Sequence, residues 1–176
     1  MINSFGGKKY DDSPKAVYEK MCKDARFRNF RFIWAFHNPD DFDVPGATKI
    51  KTDSLKYFLT ALRSRVWITN SSMERGLSFK PNATLYVNTW HGSTIKKMGS
   101  DIDESNTSFR SLGKMKVDIM TAQNEEQTNI FCRVFDIPRK NFLVCGLPRN
   151  DFLLDATAEY IAKVRERLQL PRGKKI

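Results

Sequence analysis

The stretch Thr89-Trp90-His91-Gly92-Ser93-Thr94-Ile95-Lys96-Lys97 sets a histidine at the end of an apolar run, beside a glycine, with two lysines a turn later. A histidine titrates ordinarily near pH ~6.5, so the neutral ring accepts a proton at neutral pH. Gly92 lets backbone approach a ligand closely. Ser93 or Thr94 is suited to cap a following helix, whose free N–H groups would attract phosphate. Lys96 and Lys97 add positive charge there. Together these residues suit the removal of a proton from a hydroxyl next to an anionic phosphate. A satisfied histidine at a strand end beside two solvated lysines accounts for the same pattern. The chain has 2 histidines. The other, His37, sits in the loop His37-Asn38-Pro39-Asp40-Asp41 and reads as a surface residue.

Two further segments could meet a phosphate. In Asn3-Ser4-Phe5-Gly6-Gly7-Lys8-Lys9 a glycine pair precedes lysine, a pattern able to cradle phosphate with backbone N–H groups. It lacks the spacing of a P-loop, and no Gly-x-Gly-x-x-Gly fingerprint occurs. In Gly146-Leu147-Pro148-Arg149-Asn150-Asp151, Arg149 is placed either to clamp a phosphate or to pair with Asp151. Asn150 or Asp151 would cap a short helix.

The elements that must carry these segments alternate between strand and helix. Strands are expected over 30–36, 48–51, 66–69, 83–90, 117–122 and 141–145, and Met1-Ile2 is expected to close another. Helices are expected from Asp12-Ser13-Pro14 through Val17, Tyr18 and Met21, over 54–63 with Leu55, Phe58, Leu59 and Leu62 on one side, over 125–135 with Ile130, Phe131 and Val134 inward, and over 157–170. The residues Ser100 to Gly113 read as a mobile polar loop. Such alternation implies an α/β fold, a Rossmann-like parallel sheet with helices on both faces, whose ligands sit at the carboxyl ends of strands. His91, the Gly146–Asp151 turn and the Asn3–Lys8 loop all fall at such ends. Phe27, Phe30, Phe32, Trp34 and Phe36 alternate with polar residues, and a half-buried strand explains them more simply than a stacking platform for single-stranded nucleic acid.

The chain has 176 residues, enough for one substantial core. With 40% hydrophobic residues, 13 Phe and 3 Trp, composition favours a packed interior over disorder. No apolar run reaches the roughly 20 residues of a membrane helix, and no signal peptide is evident. Cys22, Cys132 and Cys145 fit neither a metal pattern nor a disulfide framework, and read as reduced, mostly buried thiols of a cytosolic protein. The sequons at Asn70 and Asn82 carry no meaning there. A formal net charge of +10 suits an anionic partner or a solvated basic surface.

Four of these segments, in order, resemble motifs of the CDP-glycerol glycerophosphotransferase family, the teichoic acid polymerases and primases. They are Asn3 to Pro14, Trp34 to Pro39, Thr89 to Gly99, and Gly146 to Asp151. Ser93 stands where the family has threonine, and Thr94-Ile95 where it has Pro-Leu. The resemblance implies a two-lobed GT-B arrangement, with 1–170 as the N-terminal acceptor domain and 171–176 as the entry to a C-terminal donor lobe missing from this chain. It implies transfer of glycerol phosphate, or a related polyol phosphate, from CDP-glycerol to a hydroxyl of a polymer or lipid-linked acceptor. His91 becomes the general base. Asn3, Ser4, Gly6, Gly7, Lys8, Trp90, Gly92, Ser93, Lys96, Lys97, Arg149, Asn150 and Asp151 become substrate-binding residues. No metal site and no cofactor are implied, CDP-glycerol being the donor substrate, and a magnesium ion arriving with the donor is compatible. The expected partners are an anionic polyol-phosphate polymer or lipid-linked acceptor and the anionic inner face of the bacterial membrane, with no nucleic acid. Two other readings stand beside this one: a GT-B glycosyltransferase using a nucleotide sugar, and a non-enzymatic module that binds anionic polymer or nucleic acid.

Overall fold

The computed structural model describes residues 1–102 and 116–171. Six strands, β1 (Phe32–Phe36), β2 (Ala47–Lys51), β3 (Val66–Thr69), β4 (Leu85–Asn88), β5 (Ile119–Ala122) and β6 (Phe142–Val144), pair only in parallel. Four helices interleave with them: α1 (Asp12–Lys23), α2 (Leu55–Arg63), α3 (Glu125–Phe135) and α4 (Ala158–Arg167). The segment Met1–Asn3 stitches β1 to β3. Ile2 N donates to Ile33 O at 2.8 Å and Ala35 N to Ile2 O at 2.9 Å, while Ile68 N donates to Met1 O at 3.0 Å and Asn3 N to Ile68 O at 3.1 Å. The spatial order is therefore β2, β1, Met1–Asn3, β3, β4, β5, β6. The chain winds outward one way from its first strand, then crosses back and winds the other way. That is the doubly wound order, and its switch point lies between Met1–Asn3 and β3.

Both faces of the sheet are covered. Tyr18 of α1 packs with Ile2, Trp34, Phe36 and Ile68 on one face. Tyr57 and Ala61 of α2, with Phe131, Val134 and Phe135 of α3, pack with Ala35, Trp67, Tyr86 and Met120 on the other. Neighbouring strand residues such as Trp34 and Ala35, or Trp67 and Ile68, fall in opposite clusters, as the pleat requires.

Several expectations are corrected. Strand β4 stops at Asn88 instead of reaching Trp90, because Trp90 adopts φ 49°. In α2 the residues one turn apart that face the core are Tyr57 and Ala61, and Leu55, Leu59 and Leu62 are exposed. Helix α1 opens at Asp12-Ser13-Pro14 as expected, with Asp11 as its cap. No helix follows Ser93: residues 93–98 are irregular and lead into a single 3₁₀ turn, Gly99–Asp101. Asn150 and Asp151 lie inside the 3₁₀ segment Pro148–Leu153 and do not cap it. The three cysteines are free, but Cys22 and Cys145 are exposed. The greater part of the expected loop 100–113, and residues 172–176, lie outside the described residues.

Candidate active site

The candidate site is built by three chain segments, which leave the carboxyl ends of Met1–Asn3, β4 and β6. The first, after Asn3, turns through Phe5 (φ 48°), Gly6 (φ 65°) and Gly7 (φ 96°). Its backbone donors are spent within the protein. Phe5 N donates to Asn70 Oδ1 at 2.7 Å and Gly6 N to Ser71 Oγ at 2.9 Å. Gly7 N donates to Ser4 O at 2.9 Å and Lys8 N to Phe5 O at 3.4 Å. The side chains of Asn3 and Ser4 are buried, engaged with Met73, Thr69 and the Asp11 carbonyl. Asn3, Ser4, Gly6 and Gly7, expected to meet substrate, make these internal contacts, and the glycines serve close packing. A Cβ on Gly7 would sit 2.6 Å from Thr52 Cγ2. Lys8 remains exposed at the loop's end.

The second segment follows β4. Asn88, fully buried, donates from Nδ2 to Ser71 O at 2.8 Å and accepts from Trp90 N at 2.8 Å. This grip holds Trp90 in a left-handed conformation that bulky residues avoid. The Trp90 indole points into the core, 5.2 Å from the Phe131 ring and 5.0 Å from that of Phe135. Being 8% exposed, it packs beneath the His91 ring. The His91 ring stacks on it at 4.3 Å, and the residue is exposed.

The imidazole orientation follows from one bond. His91 Nδ1 lies 2.7 Å from the carbonyl oxygen of Asn70, at the end of β3. A carbonyl only accepts, so Nδ1 must carry the hydrogen. The neutral ring then presents Nε2 as a lone pair for an incoming proton. Among the described residues, none beyond its chain neighbours comes within 4 Å of a Cβ position on Gly92, the next residue. Its carbonyl accepts from Gln127 Nε2 at 2.9 Å, and Ser93 Oγ accepts from Gln123 Nε2 at 3.1 Å, which ties this loop to the start of α3.

The third segment follows β6. Arg149 pairs with Asp12 Oδ2 at 2.6 Å, not with Asp151, and the same Nη1 donates to His91 O at 2.9 Å. Asn150 and Asp151 are exposed on the 3₁₀ segment. Lys96 and Lys97 are exposed on the irregular stretch after the histidine. Lys9 was not among the expected binding residues. Its Nζ lies 5.5 Å from the Phe5 ring, which itself lies 5.9 Å from the imidazole. Asn70 and Asp12 were also missed. Asn70 stood out only as a sequon, which its complete burial makes unusable, and Asp12 only as a helix start. His37 is exposed on its loop, as expected. Among the described residues, no group of three or more His, Cys, Asp or Glu could hold a metal ion.

The family profile of CDP-glycerol:poly(glycerophosphate) glycerophosphotransferase matches residues 1–176. The chain belongs to this family. It is 35% identical over 188 residues to the teichoic acid poly(glycerol phosphate) polymerase of Staphylococcus epidermidis, covering 100% of this chain and 26% of that protein. It is 35% identical over 193 residues to the teichoic acid glycerol-phosphate transferase of Staphylococcus aureus, covering 99% of this chain and 47% of that protein. The solved structure of the wall teichoic acid polymerase TagF superposes with a TM-score of 0.87 at 34% identity, over 99% of this chain and 45% of that one. The chain thus spans between a quarter and a half of the relatives it matches. The structure shared with TagF includes the doubly wound sheet and its switch point.

Proposed function

We propose that this chain forms the acceptor-side half of an enzyme that transfers glycerol phosphate from CDP-glycerol to the terminal hydroxyl of a poly(glycerol phosphate) or lipid-linked acceptor. One observation carries the reading. An exposed imidazole at the switch point is held by the Asn70 carbonyl with Nε2 left as the base. In the step, Nε2 takes the acceptor hydroxyl proton as that oxygen bonds to the β-phosphorus. The bond from phosphorus to the CMP oxygen breaks, and CMP departs with the electron pair. General-base help of this kind is worth about 10²–10⁴ in rate. Lys8, Lys9, Lys96 and Lys97 supply positive charge for the phosphates. The names of the relatives support this substrate class, and TagF has been soaked with CDPG as a histidine variant.

The donor nucleotide would be held by a second lobe. The test is a chimera in which this chain replaces the matched half of the Staphylococcus aureus transferase, assayed with CDP-glycerol, CDP-ribitol and UDP-sugars. We expect transfer from CDP-glycerol, little from this chain alone, and a loss of at least about a hundredfold in His91→Ala. A His91→Ala rate within threefold of the parent removes the base role, and turnover of a UDP-sugar instead would favour the glycosyltransferase reading.

Such an acceptor would bring the enzyme to an anionic surface, the inner leaflet of the membrane. Among the described residues no helix is long and apolar enough to cross one. Leu55, Leu59 and Leu62 form an exposed stripe on α2. A groove of about 630 Å³, which meets α2 at Thr60 and Arg63, is also lined by Phe30, Arg31 and Arg65, and by no carboxylate among the described residues. An apolar stripe rimmed by arginine suits anionic lipid. Flotation with phosphatidylglycerol vesicles should show binding at low salt, weakened by high salt and by Leu59→Glu. Absence of binding at low salt ends the idea.

A further inference from the structure

Resting on the base role proposed for His91, we infer that Arg149 and Asp12 form a positioning pair that locks the His91 imidazole in its productive tautomer, and that Arg149 is not a phosphate clamp. The two residues are 137 positions apart in sequence. Arg149 Nη1 donates at once to Asp12 Oδ2 (2.6 Å) and to the backbone carbonyl of His91 (2.9 Å). The backbone N–H of Arg149 reaches Ser13 Oγ at 3.3 Å. A single guanidinium therefore ties the segment after β6, the start of α1 and the histidine itself. Asp12 is held where it can do this: its side chain is 5% exposed and its backbone takes φ 65°.

The charge balance argues against a clamp. A guanidinium paired with a buried carboxylate adds little net positive charge to the site, and its strongest donor is already directed at two protein oxygens. Trp90, directly before His91, sits in a strained left-handed conformation that persists only where the surroundings over-determine it. Asn88 grips it from one side and Arg149 fixes the next carbonyl. Loosening the Arg149 end lets the backbone relax at Trp90–His91, and the short Nδ1–H bond to Asn70 O is the contact that depends on that backbone.

Imidazole NMR of the 176-residue chain tests this directly, because only two histidines must be assigned. At a pH where the rings are neutral, the parent should show His91 in the Nδ1–H form. Arg149→Met and Asp12→Asn should each give a mixture of tautomers, the double variant should be no worse than either, and Arg149→Lys should restore most of the Nδ1–H form. The His37 signals should stay in place throughout. A folded Arg149→Met chain with an unchanged His91 tautomer overturns the inference. If that variant does not fold, Asp12→Asn and Arg149→Lys decide it by the same criterion. This readout needs no transfer reaction, so it fails or succeeds separately from the proposed function. In the chimera, kcat should drop about tenfold or more with the KM for CDP-glycerol within threefold. A raised KM at unchanged kcat marks a phosphate clamp and overturns the inference as well.

Discussion

Two glycine loops flank the same switch point and have opposite uses. The Phe5-Gly6-Gly7 loop is closed. A Cβ on Gly6 would lie 2.8 Å from Arg75 Nη1, and one on Gly7 would lie 2.6 Å from Thr52 Cγ2 and 3.2 Å from Ala35 O. The Gly92 loop is open: among the described residues, none beyond its chain neighbours comes within 4 Å of its Cβ position. The first loop spends its N–H groups on Asn70 and Ser71 and so fixes the very segment whose carbonyl orients His91. A glycine in a candidate loop thus marks packing in one place and access in the other, and burial separates the two cases.

Breaking the closed loop should give the largest effect. Gly7→Ala combines a positive φ with a clash against backbone and should cost about 3 kcal/mol in urea unfolding. An unchanged midpoint would mean that the loop has room after all. Next comes the strut joining both loops. Asn88→Ala leaves Trp90 N–H and Ser71 C=O without partners and should cost about 2 kcal/mol, with transfer reduced in the chimera. Stability loss without any change in transfer would separate the strut from the site.

A smaller effect is expected at Asp53. Arg75 grips its carboxylate at 2.8 and 2.7 Å while reaching Gly6 O at 3.3 Å. The hydrogen bonds from Arg75 hold the Asp53 carboxyl below its ordinary value. The pair is half exposed, so Asp53→Asn should cost about 1 kcal/mol or less. Because the folded value is lowered, the parent's advantage should be complete above the unfolded value of about 3.9 and vanish as the pH falls through the folded one. An advantage that persists at lower pH would exclude the carboxylate as its source. The smallest stability change belongs to the open loop: Gly92→Ala should stay within about 0.5 kcal/mol of the parent, yet raise the acceptor KM by crowding the space beside His91. Unaltered kinetics would place the acceptor elsewhere.

Periodicity and breakers made much of the fold legible. Helix α3 lies over 125–135 as expected, and all six strands fall within or close to their expected spans. Periodicity failed where hydrophobicity was ambiguous. In α2 the apolar residues surround most of the helix, and local spacing did not say that Tyr57 and Ala61 would face the sheet. It failed again at Trp90, whose aromatic character suggests a continued strand while the Asn88 side chain turns the backbone left-handed. A capping serine or threonine after His91 was not enough to nucleate a helix, because nucleation is costly and Ile95-Lys96-Lys97-Met98-Gly99 offers no buried stripe.

The residue types and their order determined the α/β alternation, the strand-end placement of His91 and the family. Those depend on patterns that span a few residues each. The tautomer of His91, the pairing of Arg149 with Asp12 and the division of the glycine loops into closed and open were decided only by tertiary structure. Each depends on which atoms from segments 21 to 137 residues apart come within hydrogen-bond reach, and local propensity carries no record of that.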